Sequence, residues 1–275
     1  MSQRDTTGDA AALGVAVVQF APVDDAAANV ADVGRWARLA VSRGAALVVF
    51  PEYSAFFVPE LGQRVVDAAE PVDGPFVAAL SSLAQELGVH LVAGMLERAD
   101  DGRAYNTAVA VSPDGGLAAR YRKQHLYDAF GQKESDWIAP GDLGEPQTFT
   151  IGDLTVGLQT CYDLRFPEVS RRLVDAGADI LAVPSEWVRG PLKEHHWRTL
   201  VTARAIENTV FVAAADHPAP IGAGNSMIVD PMGVELVTLG ENTDVAVAHV
   251  SRARLEQVRA LNPALALRRY EVHPR

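Results

Sequence analysis

Three side-chain types spread along the 275-residue chain have the chemistry for acyl transfer: a thiol, a carboxyl and an amine. Cys161, the single cysteine, follows the apolar run 154–160 and precedes Asp163 and Pro167, which mark a helix start. A strand-to-helix turn puts a side chain at a rim where backbone N–H groups and helix-end charge favour an anion. The expectation is a thiol with a pKa below the ordinary ~8.5. A lone cysteine is otherwise a small buried hydrophobe, but Gln159, Thr160, Tyr162, Asp163 and Arg165 are polar where a core would be apolar. Glu52 follows the apolar run 46–50 and Pro51, at the carboxyl end of a strand where α/β proteins place ligands. Left in a solvated loop it would be an ordinary acid, but Phe50, Tyr53, Phe56 and Phe57 around it would desolvate it and raise its pKa toward that of a base. Lys123 closes Arg120-Tyr121-Arg122-Lys123. Strand alternation puts Tyr121 and Lys123 on one face and Arg122 on the other. An inward Tyr121 implies an inward Lys123, which needs an anion; the alternative is a charge guarding a sheet edge. Together a thiolate attacks a carbonyl-like carbon, a carboxylate moves protons and an ammonium holds the negative oxygen.

The elements that must position these groups alternate. Short apolar runs predict strands over 13–20, 46–50 and 89–93, and 3.6-residue stripes predict helices over 25–43 and 73–87. Turn signals make a hairpin of 104–111 and 117–121. The irregular stretch 124–147 is long for a connection inside a compact domain and is read as a functional loop. Strands then follow over 149–151, 154–160, 179–183 and 210–214, with helices over 167–176 and 192–207. Strands over 226–230, 234–239 and 245–250 and a helix over 251–260 complete the chain. The stretch Gly44-Ala45-Ala46-Leu47-Val48-Val49-Phe50-Pro51-Glu52 has an echo in Gly177-Ala178-Asp179-Ile180-Leu181-Ala182-Val183-Pro184-Ser185-Glu186. Two such halves, meeting with their strand ends on one rim, would form an α/β sandwich of two sheets with helices outside. The expected organisation is a flexible tail over 1–12 and a single domain over 13–275.

Composition removes several function classes. Twenty-four Lys and Arg against 35 Asp and Glu give a net charge of -11, the wrong sign for a nucleic-acid partner. One cysteine forbids an internal disulfide and fits a reducing, cytoplasmic setting. No apolar run is long enough to span a membrane, and residues 1–12 lack the apolar stretch of a signal peptide. The seven histidines include no metal-ligand spacing, and Gly222-Ala223-Gly224 lacks the rest of a dinucleotide loop, so no metal or cofactor is expected.

Phe50-Pro51-Glu52, Tyr121-Arg122-Lys123 and Cys161-Tyr162-Asp163-Leu164-Arg165-Phe166-Pro167-Glu168 resemble, in order and spacing, the three signature segments of the nitrilase superfamily of carbon–nitrogen hydrolases. Arg165-Phe166-Pro167-Glu168, Glu134-Ser135 with Pro140-Gly141, and the stretch from His196-Trp197-Arg198 to Glu207-Asn208 are similar to the omega-amidase and deaminated-glutathione-amidase branch. The resemblance implies a four-layer α-β-β-α sandwich and a Glu52-Lys123-Cys161 triad. It also implies that Glu134 hydrogen-bonds Lys123 or orients substrate, and that the chain forms a homodimer or higher oligomer. The implied reaction cleaves a small linear amide through a thioester, with a backbone N–H such as that of Tyr162 sharing the oxyanion. Two stretches depart from the branch, Gly224-Asn225-Ser226 in place of Gly-His-Ser and Pro184-Ser185-Glu186-Trp187, both in segments read as shaping the pocket.

Tyr162, Arg165, Trp187 and Arg189 are candidate substrate contacts, an arginine suiting a distal carboxylate. Arg165 has a second reading, an ion pair with Asp163 or Glu168. Alternatives are a nitrilase or N-carbamoyl hydrolase with the same triad, a Cys–His hydrolase using His125 or His196, and a non-catalytic binding or assembly protein on this fold.

Overall fold

The computed structural model describes residues 12–275. Apart from Ala12, the expected tail lies outside them. The first half runs β1 (Leu13–Gln19), α1 (Ala26–Ser42), β2 (Leu47–Val49), α2 (Gln63–Asp67), α3 (Pro75–Leu87), β3 (His90–Arg98), β4 (Ala104–Val111), β5 (Leu117–Arg122) and β6 (Ile138–Ala139). The second runs β7 (Thr148–Ile151), β8 (Leu154–Leu158), α4 (Pro167–Asp175), β9 (Ile180–Pro184), α5 (Lys193–Asn208), β10 (Phe211–Ala215), β11 (Met227–Val229), β12 (Glu235–Thr238), β13 (Asp244–Val250) and α6 (Arg252–Leu261).

One sheet has the order β13-β1-β2-β3-β4-β5, with β6 beside β4; the other has the order β12-β11-β10-β9-β8-β7. Strand alternation explains the continuous apolar runs. Val15, Val17, Leu47 and Val49 meet Val156, Leu158, Ile180 and Ala182 between the sheets. The intervening Ala16, Val18 and Val48 turn the other way, onto Val33 and Trp36 of α1 and Phe76 and Leu80 of α3. On the far side, Leu181, Val183, Val212 and Ala214 pack on Leu173 of α4 and Trp197 and Val201 of α5. Strands covered on both faces have no polar side to show. These are the four expected layers, α-β-β-α.

The parallel strands β1, β2 and β3 of one sheet and β8, β9 and β10 of the other form the middle of the sandwich. The carboxyl ends of β2 and β9, the two halves of the sequence echo, face each other: the Glu52 N–H donates to the Ser185 carbonyl at 3.3 Å. Two details differ from expectation. The short helix α2 carries a single buried residue, Val65, too little to show as a stripe. Strand β3 continues past residue 93 to Arg98 because Gly94, a break on sequence grounds, is paired there with Ala108. A Cβ on Gly94 would lie 2.6 Å from the Tyr53 nitrogen and 2.7 Å from the Glu52 Cα, so its missing side chain lets the turn after β2 lie flat on the sheet.

Gly94→Ala is therefore expected to overpack this contact and lower the unfolding free energy by about 1–3 kcal/mol. Gly144→Ala, with open space around it, should stay within ~0.5 kcal/mol. Urea titration of the two variants measures both, and equal midpoints would mean that the close approach at Gly94 is dispensable.

Candidate active site

The inward face of β5 behaves as alternation requires. The Tyr121 hydroxyl donates to Asp163 Oδ2 at 2.7 Å, while Arg122 points outward to Glu97 at 2.5 Å and stacks over the Tyr105 ring. Lys123, one residue on, is buried; its Nζ donates to Glu52 Oε1 at 3.0 Å and to Glu134 Oε2 at 2.9 Å. Glu134 is delivered by the long loop after β5, in a single 3-10 turn. The remaining lone pairs are filled by donors from other elements. Asn106 on β4 donates from one Nδ2 to Glu52 Oε1 at 2.5 Å and Glu134 Oε1 at 3.1 Å. The Tyr53 hydroxyl reaches Glu134 Oε1 at 3.0 Å, and the Tyr127 N–H reaches Oε2 at 2.5 Å. The Glu186 N–H donates to Glu52 Oε2 at 2.6 Å. Burial opposes the Lys123 ammonium, but Glu134 and Glu52 outweigh it and hold its pKa well above the ordinary lysine value. Burial pushes the Glu52 acid up, Lys123 pulls it down, and Glu134 adds to the rise. The direction is the expected one, but the aromatic shell is divided. Tyr53 and Phe57 border the site, whereas Phe50 packs toward the helices against Phe20. The buried His217 closes the cluster from behind, Nε2–H donating to the Glu52 carbonyl at 2.8 Å, and burial depresses its pKa to about 4.

Cys161 opens a 3-10 turn, Cys161–Arg165, at φ 46°, and Tyr53 beside Glu52 has φ 59°. Left-handed conformations at non-glycine residues persist only where surroundings enforce them. Asp163 supplies that enforcement: its carboxylate accepts from the Tyr121 hydroxyl, the Thr160 N–H at 3.1 Å, the His125 N–H at 3.1 Å and the His125 ring at 2.8 Å. The thiol touches the Glu186 carbonyl, Sγ to O 3.4 Å. Burial and then Glu52 push the Cys161 pKa well above the ordinary thiol value, with Lys123 pulling the other way. This corrects the expectation of a lowered pKa. The helix that was to favour the thiolate begins only at Pro167, and a carboxylate faces the sulfur.

Glu52, Lys123, Glu134 and Cys161 all line one cavity of about 270 Å³, together with Tyr162, Arg165, Trp187 and Arg189. Arg165 forms no ion pair with Asp163 or Glu168 among the described residues; Asp163 is taken by the four donors above. Arg165 instead lies 4.9 Å from the Trp187 ring, meets His196 Nδ1 at 3.4 Å, and leaves its buried Nε without a partner. Arg189 already pairs with Glu194 at 3.0 Å and Glu241 at 2.5 Å. The Trp187 indole N–H is used on the Lys193 carbonyl at 2.9 Å, and Tyr162 packs edge-on against Tyr127. His125 and His196 are absent from the cavity wall, so the Cys–His alternative has no base there. Gly224-Asn225-Ser226 also stands off the wall. Asn225 accepts the Trp197 indole N–H at 2.9 Å and Ser226 Oγ donates to Gln19 Oε1 at 2.8 Å, so this departure braces the site from outside it.

Sequence reasoning missed Asn106, Lys193 and Glu186 as site residues and took Asp163 only as a helix-start marker. Lys193 sits at the mouth with its Nζ 2.7 Å from the Tyr127 hydroxyl and 4.3 Å from the Phe130 ring; burial, then Arg165, lowers its pKa. A polar Asn inside the apolar run of β4 was the available signal for Asn106.

This arrangement has the groups that acyl transfer at a carbon–nitrogen bond requires, and similarity points the same way. The chain is 38% identical over 252 residues to a hydrolase of Mycobacterium tuberculosis, spanning 86% of this chain and 88% of that one. It is 40% identical over 205 residues to the deaminated glutathione amidase of Escherichia coli O157:H7, spanning 74% and 78%. The crystal structure of Saccharomyces cerevisiae Nit3, a member of branch 10 of the nitrilase superfamily, superposes with a TM-score of 0.84 at 27% identity, covering 95% of this chain and 98% of that one. The carbon-nitrogen hydrolase family model matches residues 14–260, and the chain belongs to that family.

Proposed function

We propose that this carbon–nitrogen hydrolase cleaves small linear amides that carry a distal carboxylate, through a thioester on Cys161. One observation carries the substrate reading: Arg165 and Lys193 stand together in the cavity wall, their polar partners are the His196 ring and the Tyr127 hydroxyl, and among the described residues neither has a carboxylate partner. Two partly buried cations without an anion are costly, and a substrate carboxylate supplies what they lack. The amidase relative named above agrees with such a substrate.

The chemistry follows from the protonation pattern. The resting thiol is neutral, so Glu52 removes its proton as sulfur adds to the amide carbon. The negative oxygen faces the Lys123 ammonium and the Tyr162 N–H, which lies in the first turn of its 3-10 segment and has no carbonyl there to bond. Glu52 returns the proton to the departing ammonia or amine and then activates water to release the acid. Glu134 keeps Lys123 charged while Glu52 changes its protonation state. We further assign the protein to the cytoplasm, on its lone thiol, and to a homodimer. Ile206 on α5 and Met232 and Val234 in the β11–β12 turn are exposed and adjoin through Gly233, an apolar face on the outer helical layer that a second copy would cover.

Glu52→Gln should separate acidity from turnover. Removing the charge that raises the thiol moves the iodoacetamide-labelling profile of Cys161 to lower pH, while amide hydrolysis falls by about 10²–10⁴; parallel loss or parallel retention of both would exclude Glu52 as the base. Arg165→Gln and Lys193→Gln should each raise KM for succinamate relative to butanamide by about 10–100-fold, the worth of a hydrogen bond to a charged group, and an unchanged ratio in steady-state assays would remove the carboxylate. The double variant Ile206→Glu, Val234→Glu should sediment as a monomer; an unchanged sedimentation coefficient would place the contact elsewhere.

A further inference from the structure

The segment after β9 brings two consecutive peptide groups between base and nucleophile, and each is held at both ends. In the Ser185–Glu186 peptide the carbonyl accepts the Glu52 N–H at 3.3 Å and the N–H donates to Glu52 Oε2 at 2.6 Å. In the Glu186–Trp187 peptide the carbonyl accepts the Cys161 thiol, Sγ to O 3.4 Å, and the N–H donates to Asp216 Oδ1 at 2.6 Å. Glu52 alone thus fixes the first plane. The second has the reacting sulfur on one side and Asp216 on the other.

Asp216 follows β10 and is fully buried, yet it does not line the cavity. Its N–H donates to Ser226 Oγ at 2.9 Å, and Ser226 Oγ donates to Gln19 Oε1 at 2.8 Å, which ties it to the end of β1 in the facing sheet. Its Oδ2 has no partner among the described residues. Buried carboxyl oxygens are rarely left so, and packing alone would be served as well by an apolar side chain of similar volume. What the acid adds is an acceptor for the buried Trp187 N–H, which has no other among the described residues. An acceptor there also polarises the amide, which makes the carbonyl at its far end a stronger partner for the thiol.

We propose that Asp216 is a positioning residue for the nucleophile: through Oδ1 it sets the plane of the Glu186–Trp187 peptide, and the carbonyl of that peptide holds the resting Cys161 thiol in the rotamer from which it attacks. With the N–H unpaired, the plane turns toward another acceptor or water and the carbonyl leaves the sulfur. When Glu52 takes the thiol proton, the same carbonyl repels the thiolate, so the contact orients the sulfur without retaining it. The neighbouring His217 holds the Glu52 backbone. Two consecutive residues after β10 thus locate base and nucleophile. The role rests on the amidase reading of Cys161 and goes beyond it, to a side chain outside the cavity wall.

The lone cysteine gives the protein a single S–H stretching band. Hydrogen bonding lowers its frequency, so infrared spectra read the contact without substrate. The wild type should show a lowered band. Asp216→Asn, which keeps the acceptor, should retain that band and most of kcat for butanamide. Asp216→Leu should move the band up to that of a free thiol and lower kcat by about 10–100-fold, the scale of a displaced reacting group. Its KM should be nearly unchanged, because the cavity wall is intact. Near-UV circular dichroism establishes that the variants are folded. Should the Leu variant not fold, Asp216→Ser, polar but too short to reach the Trp187 N–H, is read in its place. A free-thiol band in the wild type, an unmoved band in the Leu or Ser variant, or kcat lost as fully in Asn as in Leu overturns the proposal. A purely structural Asp216 would lower the urea midpoint and leave both band and kcat of the folded protein alone. Bands that shift as expected in a protein that hydrolyses no amide would overturn the amidase reading, and with it the role in attack, but not the thiol contact.

Discussion

One ammonium held between two carboxylates, away from bulk water, sets the terms for the rest of this molecule. Lys123 cannot be buried without anions, since withdrawing an ion from water costs several kcal/mol. Glu52 and Glu134 supply them, and in doing so create an excess of negative charge that must itself be managed. Asn106, Tyr53, Tyr127 and the Glu186 backbone do so by donating hydrogen bonds. The competition leaves Glu52 with a raised pKa beside a lysine that keeps its proton. An acid that exchanges protons next to a fixed positive charge is the combination that addition to a carbonyl needs.

The sandwich exists, in functional terms, to hold this cluster. Glu52 and the Gly94 surface beneath it come from one sheet, and Cys161 and Glu186 from strand ends of the other. Asp163 ties the cysteine turn to the end of β5, so Cys161 and the strand leading into Lys123 share one anchoring carboxylate. No single layer contains the site. Its geometry therefore depends on the packing of Val15, Val49, Val156 and Ile180 between the sheets, far from any chemistry.

Much of this was legible in the sequence because the determinants are local. Strands covered on both faces leave uninterrupted apolar runs, as at Leu47–Val49 and Ile180–Pro184. Alternation sufficed to put Lys123 on the face of Tyr121, and the length of the loop after β5 marked it as functional before it was seen to carry Glu134. What stayed hidden is long-range. The rise of the Cys161 pKa depends on where Glu52 sits, more than a hundred residues away in the chain, while the local turn argues for the opposite sign. Asn106 has no spacing partner, and Arg165 looked pairable with Asp163 only because Tyr121 and His125 were not known to occupy that carboxylate. The echo between the two strand ends was visible, but its meaning, that both copies end in an acid at the same cavity, needed three dimensions.

The imidazole behind Glu52 has its own consequence. With a pKa of about 4, His217 carries no charge through the whole interval in which histidines normally titrate. It works as an electrically silent bolt, securing the Glu52 backbone without taking up a proton in that interval. The penalty appears only on acidification. An unfolded chain takes up this proton near pH 6.5, whereas the folded one resists until near 4, so stability drains away between those values as pH falls. Acid tolerance of the fold is thereby linked to the ring that holds the Glu52 backbone in place.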